Sequence, residues 1–301
     1  MKIKITKNED SLTIKQLFSR LGLSARMIAR LKNKENGITV NGEKKTVRFI
    51  LSEGDELNIE IEDTNVSSNI PESALPLKVL YEDDWFLAVE KEPFMPIHPS
   101  RNHVDDTLAS SVMAYFSGKS FVFRVLTRLD RDTSGIVLIA KDAVAAARFS
   151  DMLKMRKVEK EYLAICEGLF EEKCGIIDYN IRRPSLLIIK REAVEKCTPM
   201  GENTPEGMEA ITEYRVIKEC PLASLISFSP VTGRTHQLRV HSQKFGHPIL
   251  GDTLYGNGSS LIARQALHAH RLTFIHPFTS KETSIICPLS EDMKNVERTL
   301  F

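Results

Sequence analysis

The chain has 301 residues, 42% hydrophobic and 27% charged, with 41 Lys and Arg against 40 Asp and Glu, proportions ordinary for a soluble globular protein with one large domain and a small one. No run reaches the ~18–20 apolar residues needed to cross a bilayer, and Met1-Lys2-Ile3-Lys4-Ile5-Thr6-Lys7 has charges with no apolar segment behind them, so neither a membrane span nor a secretory leader is expected. The five cysteines are odd in number and lack Cys-x-x-Cys spacing, which disfavours a disulfide framework or zinc site and points to a reducing, cytoplasmic setting.

The near-neutral total hides an uneven distribution. Residues 1–50 hold twelve Lys and Arg against four acids, and the next forty hold eleven acids against Lys78 alone. A basic head on a neutral chain suits a polyanion. Within it, residues 11–34 predict two short helices, with Ile14, Leu17, Phe18 and Leu21 at helical spacing, Gly22 as the stop and Ser24 as a cap. On the second helix Arg26, Arg30 and Lys34 recur every four residues, a like-charge stripe that phosphates would turn into binding. Val40-Asn41-Gly42-Glu43 is a hairpin signal, and Ile50 to Ile61 gives a turn and an alternating strand. Two helices, this hairpin and a Gly-Asp strand together resemble the small RNA-binding domain shared with ribosomal small-subunit protein four. The competing explanation is a surface helix with ordinary basic residues.

A small α/β domain is thus expected over 1–62, a polar linker over 63–75 and a larger domain over 76–301. Leu77 to Lys91 predicts two strands about an acidic turn. Arg128, Asp130, Arg131 and Asp132 crowd four charges ahead of Thr133-Ser134-Gly135, and the apolar run Ile136 to Ala140 predicts a strand buried on both faces. A generic charge cluster of this kind is a solvated turn; anchored to a core strand, it can hold a reactive carboxylate still. Asp142 to Lys157 predicts a helix, and Val158 to Gly168 a strand that carries Tyr162. Strands follow at Ala210 to Lys218, Ala223 to Pro230, Leu267 to Phe274 and Glu282 to Cys287. Between two of them, Val231 to Ser242 is a turn entering a helix, with Thr235 as its expected cap. Many strands, few helices and no Gly-x-Gly-x-x-Gly or Walker pattern predict an α+β domain with a mixed, mainly antiparallel sheet and no bound nucleotide cofactor.

Arg128-Leu129-Asp130, two residues on Thr133-Ser134-Gly135, four apolar residues and Ala140-Lys141 resemble the signature of the RluA-type pseudouridine synthases, except that Thr127 replaces the usual His. The segment Gly233-Arg234-Thr235-His236-Gln237-Leu238-Arg239 matches the family's other strong motif. Together these cover most of residues 77–275. The resemblance implies Asp130 as the catalytic aspartate, Arg239 as its partner and Tyr162 as the ring that stacks on the base. It implies substrate binding by Arg128, Thr133, Arg234, His236, Gln237 and Leu238. The excursion over 195–207 departs from the tighter turn usual in relatives.

The implied reaction breaks the N1–C1′ bond of uridine and rejoins the uracil through C5. A carboxylate beside C1′ can act as nucleophile, charge stabiliser or base, an arginine partner keeps it ionised, and the nucleotide must leave its stack. No metal or other cofactor is expected, and the protein is expected to act as a monomer on ribosomal or transfer RNA. Rival constellations are weaker. His268 and His270 share a strand face but lack companion ligands. Ser134 with His236 and Asp130 lacks a Gly-x-Ser-x-Gly elbow, and Asp130 with Asp132, two residues apart on a loop, makes a poor glycosidase pair. The alternative of another class is an RNA-binding factor on the same fold without turnover.

Overall fold

The computed structural model describes residues 2–23, 25–60, 67, 69–185, 187–195 and 207–301, and of Arg26 and Met27 the backbone only. The Ser24 cap, part of the 63–75 linker and most of the 195–207 excursion therefore lie outside the described residues.

The chain begins with β1 (Lys2–Lys4), α1 (Ile14–Arg20), α2 (Ala25–Asn33), β2 (Ile38–Val40), β3 (Glu43–Lys44) and β4 (Glu56–Ile59). The strands form an antiparallel sheet in the order β1-β4-β2-β3. Thr13 and Gln16 start α1 as a reciprocal capping box, and Gly22 follows its end at φ 72°, a conformation glycine adopts without strain. Asn41 and Gly42 both take positive φ between the paired Val40 and Glu43, as a two-residue hairpin turn requires. The helices close over the sheet through Ile14, Leu17, Phe18, Leu31, Leu57 and Ile59. The basic stripe is shorter than its spacing suggests. Helix α2 ends at Asn33, so Lys34 falls past it, its stem against Gly37 and its ammonium turned into the protein.

The larger part comprises β5 (Lys78–Glu82), β6 (Phe86–Lys91), α3 (Leu108–Tyr115), β7 (Arg124–Val125), β8 (Ser134–Ala140), α4 (Ala143–Lys154), β9 (Val158–Glu167), β10 (Cys174–Asp178), β11 (Asn180–Arg182) and β12 (Glu192–Val194). It continues with β13 (Ile211–Cys220), β14 (Ala223–Pro230), α5 (Gln237–Lys244), β15 (Leu267–Ile275), β16 (Glu282–Ile286) and α6 (Glu291–Leu300). One sheet runs β10-β13-β14-β9-β15-β8-β6-β5, with β16 beside β15 and β7 beside β8. The β15–β8 pairing is parallel and the others antiparallel. The fold is α+β, built on a mixed, mainly antiparallel sheet.

Strand β8 shows why its sequence is apolar from Ile136 to Ala140. Ile136 and Leu138 face a cluster with Phe86, Phe149 and Phe274, while Val137 and Ile139 face another with Leu108, Val112 and Phe123. Every β8 residue is buried, so the chain entering it at Ser134 is held on both sides of the sheet. Asp142 caps α4 by accepting from the amides of Val144 and Ala145, both at 2.8 Å.

The small and large parts touch. Val144 is buried in the N-terminal core, and Phe278 packs against that core while stacking on Trp85 at 4.7 Å. Arg148 lies over Phe278 and donates to the Arg20 carbonyl.

Candidate active site

An open cleft of about 810 Å³ lies where the β7–β8 loop, β9 and the turn before α5 converge. Asp130, Tyr162, Arg239, Arg128, Thr133, Arg234, His236, Gln237 and Leu238 all line it. Residues as far apart in sequence as 128 and 239 are thus brought to one wall-to-wall space.

Asp130 sits in a loop fixed from several sides. At its start Thr127 is buried, and its hydroxyl accepts from the Leu138 amide at 2.8 Å, which ties the loop to β8. Asp130 closes a turn through its carbonyl and the Thr133 amide. Behind the loop, the fully buried Lys91 donates to the carbonyls of Glu92, Met95 and Arg131 at 2.7–2.9 Å. Burial, with the Arg264 charge, pulls the Lys91 pKa to about 7, although three carbonyl acceptors use all three donors of an ammonium and favour its charged form. Arg264, also buried, donates to the Asp132 carbonyl and the Ser134 hydroxyl while forking onto Asp292.

Arg239 faces two carboxylates. Its Nε and Nη2 donate to the two oxygens of Asp252 at 2.6 and 2.9 Å, and Nη1 alone donates to Asp130 Oδ2 at 3.0 Å. The bidentate edge therefore belongs to Asp252, which is itself fully buried and accepts from the Leu254 and Tyr255 amides. Burial opposes charge on both members, but their mutual hydrogen bonds outweigh it, so the Asp252 pKa is lowered and the Arg239 pKa raised. The Tyr255 ring lies 5.1 Å beneath the guanidinium. One N–H of a clamped guanidinium is left to aim at Asp130.

Tyr162 occupies β9 across from Ala269 and Phe228. Burial, then the Asp130 charge, pushes its phenol pKa up, so it stays a neutral ring. His236 enters α5 in the left-handed conformation at φ 58°. Its Nδ1 pairs with the Tyr255 hydroxyl at 2.9 Å, and Nε2 lies 4.0 Å from Asp130. Burial lowers its pKa, against the opposing pull of Asp130.

The expected Thr235 cap is not formed; His236 is the N-cap residue and gives no side-chain cap bond. The turn is held by Gln237, whose carbonyl accepts from Thr232 and the Arg234 amide while its amide donates to the Ile211 carbonyl and Thr212. All its hydrogen-bonding capacity serves the protein. Thr133 is likewise buried and accepts from Gln265, and Leu238 packs in the core. Arg128 is exposed at the mouth, and Arg234 donates to the Glu209 carbonyl.

The rival constellations take other forms. Ser134 is buried and pairs with His268 Nδ1, not with His236; His268 and His270 both reach the Cys287 carbonyl. Asp132 is forked by its neighbour Arg131 at 2.6 and 3.0 Å. Sequence reasoning missed Lys91, Asp252, Tyr255 and Arg264. The available signals were a lysine closing an apolar strand before Glu92-Pro93, and an aspartate following Gly251 in an otherwise apolar turn.

The cleft thus holds a carboxylate bound by an arginine, beside a neutral aromatic ring and under an exposed arginine at its mouth. Residues 85–244 match the family model described as RNA pseudouridylate synthase. Over 95% of this chain and 98% of the relative, the sequence is 35% identical to an uncharacterized RNA pseudouridine synthase, YjbO, of Bacillus subtilis (strain 168). It is 33% identical to the ribosomal large subunit pseudouridine synthase D of Vibrio cholerae, over 88% and 83% of the two chains. Among solved structures, human RNA pseudouridylate synthase domain containing 1 aligns with a TM-score of 0.58 and 30% identity, covering 72% of this chain and 85% of that one. The chain belongs to the RNA pseudouridine synthases of the RluA type, isomerases that convert uridine in RNA to pseudouridine.

Proposed function

We propose that Asp130 is the carboxylate that acts at C1′, that Arg239 aims it, and that Tyr162 retains the uracil while it turns. The observation that carries this is the division of the Arg239 guanidinium, two donors fixed on buried Asp252 and one directed at Asp130. Such a clamp orients the carboxylate before substrate arrives, so little reorganisation is left for the reaction. The isomerisation has no net redox change and needs neither metal nor other cofactor. In this reading Asp130 meets the charge that develops at C1′, and Tyr162 offers a flat apolar face to the detached base. Arg128 at the mouth and Arg234 on the rim hold the RNA, His236 contacts the nucleotide, and Thr133, Gln237 and Leu238 shape the walls.

The substrate proposed is structured RNA, ribosomal in the first place and transfer RNA in the second. The Vibrio cholerae relative's name, which specifies the large ribosomal subunit, supports the first choice. Residues 1–62 are proposed as an RNA-binding domain that grips phosphates through Arg26 and Arg30, followed by the 63–75 linker and a catalytic domain over 76–301. The enzyme is proposed to work as a monomer in the cytoplasm, where its RNA is. Pseudouridine mapping of cellular RNA with and without the protein tests the assignment. The expected result is one or a few ribosomal uridines that lose modification in its absence and regain it on adding purified enzyme. Recovery at no site would leave the non-catalytic RNA-binding reading.

A further inference from the structure

Strand β9 places Lys160 two residues before Tyr162, hence on the same face of the sheet and about 7 Å away along the strand. Both side chains line the cleft. Along β15, Ser134 is level with His268, Tyr162 with Ala269 and Lys160 with Leu272. Lys160 thus lies on the far side of Tyr162 from the loop that carries Asp130. Its ammonium rests beside the turn after β14, where a Cβ on Gly233 would come within 3.8 Å of it.

The other cations of this corner are answered by the protein. Arg156 pairs with the Glu209 carboxylate at 2.7 Å, and Arg234 donates to the Glu209 carbonyl at 2.8 Å. Among the described residues, no hydrogen bond or ion pair ends on the Lys160 ammonium. Burial lowers its pKa, and among the described residues no carboxylate acts on it. An ammonium taken partly out of water with no counter-charge costs stability, and a methionine of similar length would fill the same space without that cost. Packing therefore does not explain the residue, whereas an anion brought by the substrate does.

We infer that Lys160, with Arg156 and Arg234 on the rim beside it, seats one phosphate of the RNA backbone next to the target nucleotide. The inference rests on the reading that the nucleotide docks between Asp130 and Tyr162. A phosphate is favoured over the uracil itself because the corner is a cluster of three cations at the cleft edge, where a backbone must pass, and because Lys160 is out of reach of Asp130.

The test compares Lys160→Met with the unaltered full-length protein for binding a short oligouridylate across a salt series. The same pair is then measured on an oligouridylate whose linkages are uncharged methylphosphonates. Loss of one phosphate contact should lower the slope of log K against log salt by about 0.7 for a single strand. Affinity should fall about tenfold, as for one charge-assisted hydrogen bond, and Lys160→Arg should restore most of it. On the uncharged oligomer Lys160→Met should bind like the unaltered protein. An unchanged salt slope with the phosphodiester would overturn the inference. So would an equal loss on the uncharged oligomer, which would place Lys160 on the base. Binding is read without turnover, so failure of the Asp130 assignment shows separately, as absent pseudouridine formation with the salt slopes intact.

Discussion

Arg239 spends its planar fork on the buried Asp252 and not on Asp130, and the consequences can be measured. Asp252→Asn removes the charge that fixes the fork while leaving a side chain of the same size. Breaking a pair buried this deeply costs about 3–5 kcal/mol, seen as a lower thermal midpoint. Pseudouridine formation should fall as well, because a released guanidinium no longer presents Nη1 to Asp130. Near-normal turnover in a folded Asp252→Asn protein would show that the aim of Arg239 is set elsewhere. Arg239→Lys keeps a positive charge but cannot serve two carboxylates at once. Its rate at saturating RNA should drop about tenfold or more, the value of one lost charged hydrogen bond. Thr127→Val keeps shape but leaves the buried Leu138 amide without its acceptor. A loss of about 1–3 kcal/mol is expected by denaturant unfolding, with activity lowered through the loop that carries Asp130.

At the scale of elements, the strands were legible because their patterns reflect what covers them. β8 is apolar from Ile136 to Ala140 because helices lie on both faces, and the Val-Asn-Gly-Glu hairpin announces its own turn. The start of α5 was not legible: Thr235 has the chemistry of a cap, yet Gln237 satisfies the turn from inside the helix, through partners on β13 that sequence spacing cannot reveal. Lys34 failed for a similar reason, since helical spacing was extended one residue past the helix and the ammonium turned inward. The phosphate stripe is therefore shorter, and Arg26→Gln with Arg30→Gln should lower the salt slope of RNA binding by roughly 0.7–0.9 for each lost contact. The two parts of the chain also share a surface that no sequence pattern announces. Removing residues 1–62 uncovers Val144 and Phe278, so the remainder should melt below the full chain. Equal midpoints would show that this contact contributes no stability.

Across the whole molecule, the residues that line the cleft were legible as motif, while the shell behind them was not. Asp130, Tyr162 and Arg239 stand in strings whose residue types announce chemistry. Lys91, Asp252 and Arg264 hold those strings in place from 13 to more than a hundred residues away in sequence, outside either motif. Their meaning appears only when the sheet brings β6, β8 and β15 together. Two neighbouring aspartates compete for the reaction, Asp130 toward the cleft and Arg239, and Asp132 forked by Arg131. The most direct measurement is pseudouridine formed in a single turnover at saturating RNA by Asp130→Asn and by Asp132→Asn, with RNA affinity measured alongside. If Asp130 carries the reaction, Asp130→Asn gives no product with affinity within a few-fold of the unaltered protein, and Asp132→Asn gives near-normal product. Substantial pseudouridine from Asp130→Asn, or equal loss in both variants, would contradict that role of Asp130.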